Sequence, residues 1–271
     1  MKPSAFDYVR VDCADEAVEI LAEQGDEARI LAGGQSLMPM LNMRMAQPKV
    51  IVDISRAEDL AAARVDGAAL AVRAAVTQAT VERRARLADE VPMLAQALPH
   101  LGHFQTRNRG TVCGSIAHAD PSAELPLCLA VLGGEVVLRS RARRRTLQAE
   151  AFFLGALATA RDPTEIVEEV RFPLALAAER YGFVEIAMRH GDFAIVGLAV
   201  IVSAAAIRVG VSGVADRPWI VRWPRLTGDE LDAALDRLAW DVGARDDQHA
   251  SGEYRRHLVR TLGRRLIEEL Q

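Results

Sequence analysis

The residues most able to do chemistry crowd into one stretch, Arg107 to Pro126, reading RNRGTVCGSIAHADPSAELP. It sets two glycines, two arginines, several hydroxyls, a histidine and two carboxylates between apolar segments, a polar density that a plain connector does not need. Gly110 and Gly114 leave the backbone free to donate to phosphate oxygens, Thr111 and Ser115 add hydroxyl donors, and the Glu124 carboxylate suits ribose or ribityl hydroxyls. A solvated loop is the alternative reading. A second grouping, Ile30-Leu31-Ala32-Gly33-Gly34-Gln35-Ser36-Leu37, runs from an apolar strand into adjacent glycines and on to Pro39. Without Cβ atoms, consecutive amides can point into one concavity and a pyrophosphate can approach the main chain, with Gln35 and Ser36 as rim donors. The same glycines also serve a tight turn, and the G-x-G-x-x-G dinucleotide fingerprint is absent.

Other residues carry no comparable signal. The three cysteines, Cys13, Cys113 and Cys128, are scattered and exclude a four-thiolate cluster or zinc ribbon within the chain. His100, His103 and His118 lack the spacing of a metal site, so no metal ligand is assigned. Arg139, Arg141, Arg143, Arg144 and Arg145 read as a solvated hairpin tip. With 37 acidic against 33 basic residues, nucleic acid is not an expected partner. Met38, Met40, Met43 and Met45 form a row suited to adaptable packing under the glycine loop or against a partner.

The elements that must position these loops alternate through the first two-thirds of the chain. Helices are expected over 15–24, 80–87 and 92–101, and strands over 28–32, 49–54, 69–76, 134–139 and 165–172. After Pro173 an alanine-rich connector leads into strand-like runs at 181–188, 193–203 and 206–214. Two helices follow, one opened by a Thr227/Glu230 capping box and one over 251–270 with an apolar stripe and arginines on its other faces. Strands followed by helices read as a small α+β unit. The longest apolar run, 193–207, is too short and too interrupted to span a membrane. The N-terminus lacks a signal peptide, so a cytoplasmic location is expected.

Together the two loops, A-G-G-Q-S-L-x-P at 32–39 and R-N-R-G-T-V-x-G-S-x-A-H-A-D-P-x-A-E-x-P at 107–126, resemble the paired FAD signatures of the medium, flavin-carrying subunit of molybdenum hydroxylases. The R-x-G-D-F-A stretch at 189–194 fits the same resemblance, which covers essentially the whole chain. It implies an α+β fold. A two-subdomain FAD-binding domain of the vanillyl-alcohol-oxidase type is expected over 1–174, with subdomains of about 1–56 and 57–174. A C-terminal domain over 178–271 would carry a three-stranded antiparallel sheet plus helices. It also implies non-covalent FAD held by residues 30–37, by Gly110, Thr111, Cys113, Gly114 and Ser115, by Glu124, and by Leu101 and Val167. Cys113 stands where many relatives have glycine.

The same resemblance implies partners: a large subunit with the molybdenum cofactor and a small one with [2Fe-2S] clusters, in a dimer of heterotrimers. The flavin then does the redox chemistry and no side chain need act as acid, base or nucleophile, so no catalytic residue is assigned. The alternatives are a stand-alone oxidoreductase resembling the enolpyruvyl sugar-nucleotide reductases, and a non-redox assembly or anion-binding module.

Overall fold

A computed structural model describes residues 2–271. The first sheet is small and parallel: Val50–Asp53 lies between Asp7–Arg10 and Ala28–Leu31. The β-branched centre follows from its sequence, since Ile51 and Val52 are buried while the two neighbours form edges. Asp7–Arg10 escapes a sequence reading because all four of its residues are exposed and show no alternation. Helix Ala14–Gln24 buries Ala17, Val18 and Leu21 against this unit and ends at Gly25, whose φ of +52° suits a glycine stop.

The second sheet is antiparallel, in the order Ala63–Asp66, Ala69–Arg73, Ile166–Pro173, Glu135–Arg139, Arg144–Gln148. Its central strand buries Glu168 and Glu169, and Glu165 is buried just before it; Arg171 pairs with Glu169, and the arginine run answers Glu168 and Glu165. Arg144 reaches Glu168 at 2.6 Å and Arg145 reaches Glu165 at 2.7 Å, while Arg141 meets Glu19 at 3.3 Å and Arg143 meets Asp162 at 3.0 Å. The hairpin is thus an ion-pair network and not a merely solvated tip. A buried carboxylate must be paired, and guanidinium forks supply the pairing.

The third sheet corrects an expectation. It has four antiparallel strands, Arg180–Ala187, Ala194–Val202, Ala206–Ser212 and Trp219–Pro224, where three were expected. Trp219–Pro224 is an edge strand with half-exposed residues and two of its six positions taken by Arg222 and Pro224, so its sequence reads as linker. One face of this sheet, including Tyr181, Phe183, Ala199 and Ile201, joins the core of the first two sheets. The other face packs on helices Gly228–Asp241 and Gly252–Leu270.

Helix details also differ from the sequence reading. The expected 80–87 helix is Gln78–Glu82, capped by the Thr77 hydroxyl, and a separate turn Leu87–Glu90 follows. The expected 92–101 helix is Pro92–Ala97, continued by a tighter 3₁₀ turn Leu98–His100. Thr227 precedes its helix without a side-chain capping bond, whereas the Ser251 hydroxyl accepts from the Tyr254 amide at 3.1 Å. Arg255 is not on an outer face: it is 4% exposed, donates to the Ile195 carbonyl at 2.7 Å and meets Asp247 at 2.5 Å.

Helix Glu124–Leu132 joins the two large sheets, and every one of its residues is buried. Leu125, Leu127, Leu129 and Val131 each remove enough apolar surface from water to contribute roughly 1.5–3 kcal/mol. Gly210 on the third sheet makes room for it, since a Cβ there would fall 2.1 Å from Val131 Cγ2. The first residue of this tightly held helix is Glu124.

Candidate functional site

Both polar loops open into one cavity of about 970 Å³, at the upper end of the usual range for ligand sites. Every site residue expected from sequence lines it except Leu31. Ile30 and Ala32 line the cavity and Leu31 between them does not.

The loops touch. A Cβ on Gly33 would lie 2.0 Å from the Arg109 carbonyl oxygen and 2.7 Å from Gly110 Cα, so only glycine lets backbone 33 seat against backbone 109–110. Gly34 has a different reason, a φ of +74°, and its absent Cβ would meet the Leu31 and Met38 side chains at 3.2 and 3.3 Å. Gly114 clears the Thr111 hydroxyl, which accepts from the Gly114 amide at 3.0 Å. The glycines therefore shape and join the two loops. This packing role stands beside the expected one of leaving room for a phosphate at the main chain.

What the packing leaves is a row of donors. Among the described residues no amide from Gly33 to Leu37 finds a protein acceptor, and the same holds for the amides of Thr111 and Cys113. Unpaired backbone N–H groups at a cavity wall call for an acceptor, and an anion with several oxygens supplies it. Thr111 is fixed by a bridge to Thr77, with the Val112 amide donating to the Val76 carbonyl at 3.2 Å and the Gln78 amide to the Gly110 carbonyl at 2.8 Å.

Cys113 fits in the loop because its side chain leaves the cavity: the Sγ donates to the Val72 carbonyl at 3.3 Å in the core. Burial, followed by the nearby Glu169, pushes the thiol far above its ordinary range. A buried, protonated thiol is no attachment point for a flavin.

Glu124 begins its helix at 8% exposure. Burial first, then the charges of Glu185 and Asp120, push its carboxyl up to about 8. This favours the protonated form at neutral pH, in which the carboxyl can donate as well as accept.

Leu101 is held in place by the motif itself. Arg107 pairs with Glu82 at 2.9 Å and donates to the Leu101 carbonyl at 3.0 Å. Beyond it, Gly191, with a φ of +85°, comes so close to Gly102 that a Cβ would lie 2.9 Å from the Gly102 carbonyl oxygen. This contact brings the 188–195 segment to the cavity. Within it Phe193 is 69% exposed and Met188 is 64% exposed.

Several cavity residues were not assigned from sequence. They include Gln78, whose Oε1 is buried without a partner, His249 on the 242–251 loop, and the arginines Arg29 and Arg161. Gln78 gave no sequence signal, because its role comes from packing beside Gly110. Val167 lines the cavity where Ile166–Pro173 lacks one neighbour, since pairing with Ala69–Arg73 begins only at Glu169. Among the described residues no cluster of three metal-ligating side chains occurs, and no helix is long and apolar enough to cross a membrane.

Two abutting loops with free amides over a cavity of this size offer an anionic ligand as large as a dinucleotide a row of backbone donors. Comparisons with known proteins agree. A family described as the FAD binding domain in molybdopterin dehydrogenase matches residues 4–175. The nicotine 6-hydroxylase medium subunit of Paenarthrobacter nicotinovorans is 36% identical over 99% of this chain and 98% of its own length. The caffeine dehydrogenase subunit beta of a Pseudomonas species is 38% identical over 79% of this chain and 73% of its own. Among solved structures, quinoline 2-oxidoreductase from Pseudomonas putida 86 superposes with a TM-score of 0.93 at 31% identity, covering 100% of this chain and 98% of that one. The chain belongs to the family of FAD-binding subunits of molybdenum hydroxylases, and it is an oxidoreductase subunit of that type.

Proposed function

We propose that this chain carries FAD between a small subunit with [2Fe-2S] clusters and an external electron acceptor, within a heteromeric molybdenum hydroxylase whose large subunit hydroxylates the substrate. The observation that carries the reading is the row of acceptor-free amides where the two loops meet. When bound, FAD supplies electron transfer in steps of one or two, which couples one-electron clusters to a two-electron acceptor.

The chain's own residues bind and orient. The amides of 33–37, Thr111 and Cys113 take the pyrophosphate oxygens, and the protonated Glu124 takes a ribityl or ribose hydroxyl. Leu101 and the 188–195 segment flank the isoalloxazine. The backbone of Val167 meets the far end of the cofactor. No acid, base or nucleophile is assigned.

The reading also divides the chain into an FAD-binding domain, residues 1–174, and a C-terminal domain, residues 178–271. It places the chain in a cytoplasmic dimer of heterotrimers. A stand-alone reductase would need a second substrate pocket. A smaller cavity, about 240 Å³, is lined by Asp15, Glu19 and the Arg139–Arg144 hairpin, groups already committed to ion pairs.

Purification of the native complex tests the reading. It should contain one FAD per chain, released by heat, with molybdenum and iron that are lost when this chain is isolated. A colourless chain that takes up no FAD overturns it, as does a flavoprotein found without metal-bearing partners.

A further inference from the structure

Glu185, on strand Arg180–Ala187, is a buried acid with too few partners. Its side chain is 4% exposed, its Oε1 stands 3.4 Å from Nδ1 of the partly exposed His100, and its Oε2 is buried with no hydrogen bond. A buried carboxylate held this loosely costs stability, so a structural role does not account for it. Its surroundings suggest another. Glu185 pairs in register with Gly197, and a Cβ on Gly197 would lie 3.6 Å from Leu127 Cδ2. Leu127 is one turn along its helix from Glu124, so the two acids converge on one helix face beside the cavity. Cys128, on the same turn, responds to both: burial first, then the charges of Glu124 and Glu185, push its thiol up.

The other groups around this pair do not neutralise it. Asp120, on the loop before the helix, is a third acid, and its Oδ1 accepts from the Ser122 amide at 2.8 Å. Behind Glu185 stands His100, and the His190 ring centre lies 6.3 Å from that of His100. Elsewhere the cavity wall includes His118, Glu165, Asp192 and His249, with Arg29, Arg161 and Arg189. Among the described residues no arginine or lysine pairs with Glu124, Glu185 or Asp120.

A wall of three acids without a paired cation suits an anion only if a proton stays on it. FAD brings a negatively charged diphosphate into this cavity, and an ionised Glu124 would repel it. A protonated Glu124 would instead donate to a ligand hydroxyl. The like charge of Glu185 disfavours ionisation of its neighbour. We propose that Glu185 is a positioning residue whose charge keeps the proton on Glu124, so that FAD binding is linked to one proton. The inference rests on the FAD reading above.

Titration of flavin-free full-length chain with FAD between about pH 6 and pH 9, followed by flavin fluorescence, tests this, and thermal melts report folding. In the wild type the FAD dissociation constant should rise as pH climbs through about 8, approaching tenfold per pH unit. Glu124→Gln has no proton to lose there and should bind with little pH dependence. Glu185→Gln keeps the shape and removes the charge, so the rise should begin about one pH unit lower or more. Calorimetry in two buffers of different ionisation enthalpy reads the proton directly. Near pH 8 the wild type should take up about half a proton per FAD, and Glu124→Gln almost none. An unchanged or higher midpoint in Glu185→Gln, or equal weakening at every pH, overturns the role of Glu185 while the FAD reading stands. A wild type that binds FAD without taking up a proton overturns the linkage, even where Glu185→Gln fails to fold. A wild type that binds no FAD at any pH removes both inferences.

Discussion

Glu124 shows how one position links stability to ligand chemistry. Its carboxyl titrates near 8 in the folded chain against 4.5 as the ordinary value, because burial and then Glu185 and Asp120 oppose ionisation. A raised acid favours folding most below the unfolded value, and that contribution is lost as pH climbs from about 4.5 toward 8. The flavin-free chain should therefore lose on the order of a few kcal/mol across this window, and Glu124→Gln should lose much less. Urea unfolding at pH 5 and pH 8 reads the difference, and equal slopes for the two proteins would contradict it. The loop glycines give a second residue-scale expectation. Gly33→Ala puts a Cβ 2.0 Å from the Arg109 carbonyl oxygen and must part the loops, whereas Gly34→Ala meets flexible side chains at 3.2 and 3.3 Å and bears mainly the strain of its positive φ. Flavin content per polypeptide should fall further in Gly33→Ala. The reverse order would show that the loops do not hold the cofactor jointly.

At the scale of elements, the helix Glu124–Leu132 fixes the site because both of its long faces are occupied. It lies against the third sheet where Gly210 replaces a side chain. Gly210→Ala would overpack this contact, with Val131 Cγ2 at 2.1 Å and Leu127 Cδ1 at 2.8 Å from the added atom, at a cost of roughly 1–3 kcal/mol. Pairing it with Val131→Ala should recover a large part of that loss, measured as the shift in thermal midpoint. A double variant no more stable than the single would show that the strain lies elsewhere. Elements of this kind also mark the limit of what the sequence discloses. The helix itself reads as apolar, but nothing local says that Gly210, 78 or more positions away, is its seat. Asp7–Arg10 and Trp219–Pro224 were missed for a related reason, since edge strands owe their conformation to a partner strand and not to their own pattern. The two site loops were legible because their donors, glycines and carboxylate are contiguous. Gln78, Arg29, Arg161 and His249 were not, because the fold collects them from separate segments.

For the whole molecule, the question is whether the two cores unfold as one. The third sheet contributes Phe183, Ala199 and Ile201 to the core of the first two, and Val196, Leu198 and Val200 to the core beneath the last two helices. The same strand, Ala194–Val202, thus serves both, and its start, with Phe193 before it, borders the cavity. Arg255 ties the end helix to the Ile195 carbonyl on that strand, so the C-terminal helices are coupled to the cavity wall through a buried charge and its hydrogen bonds. A boundary near residue 174 read from sequence marks a change of texture, yet the packing crosses it. Calorimetry of the flavin-free chain should accordingly show one transition. FAD at about a hundred times its dissociation constant should raise the stability of the whole by about 2.7 kcal/mol, since ligand binding to the folded state alone stabilises everything that unfolds with it. Two resolved transitions, with FAD moving only the first, would mean that the shared strand does not couple the cores and that the C-terminal unit folds independently of the cofactor site.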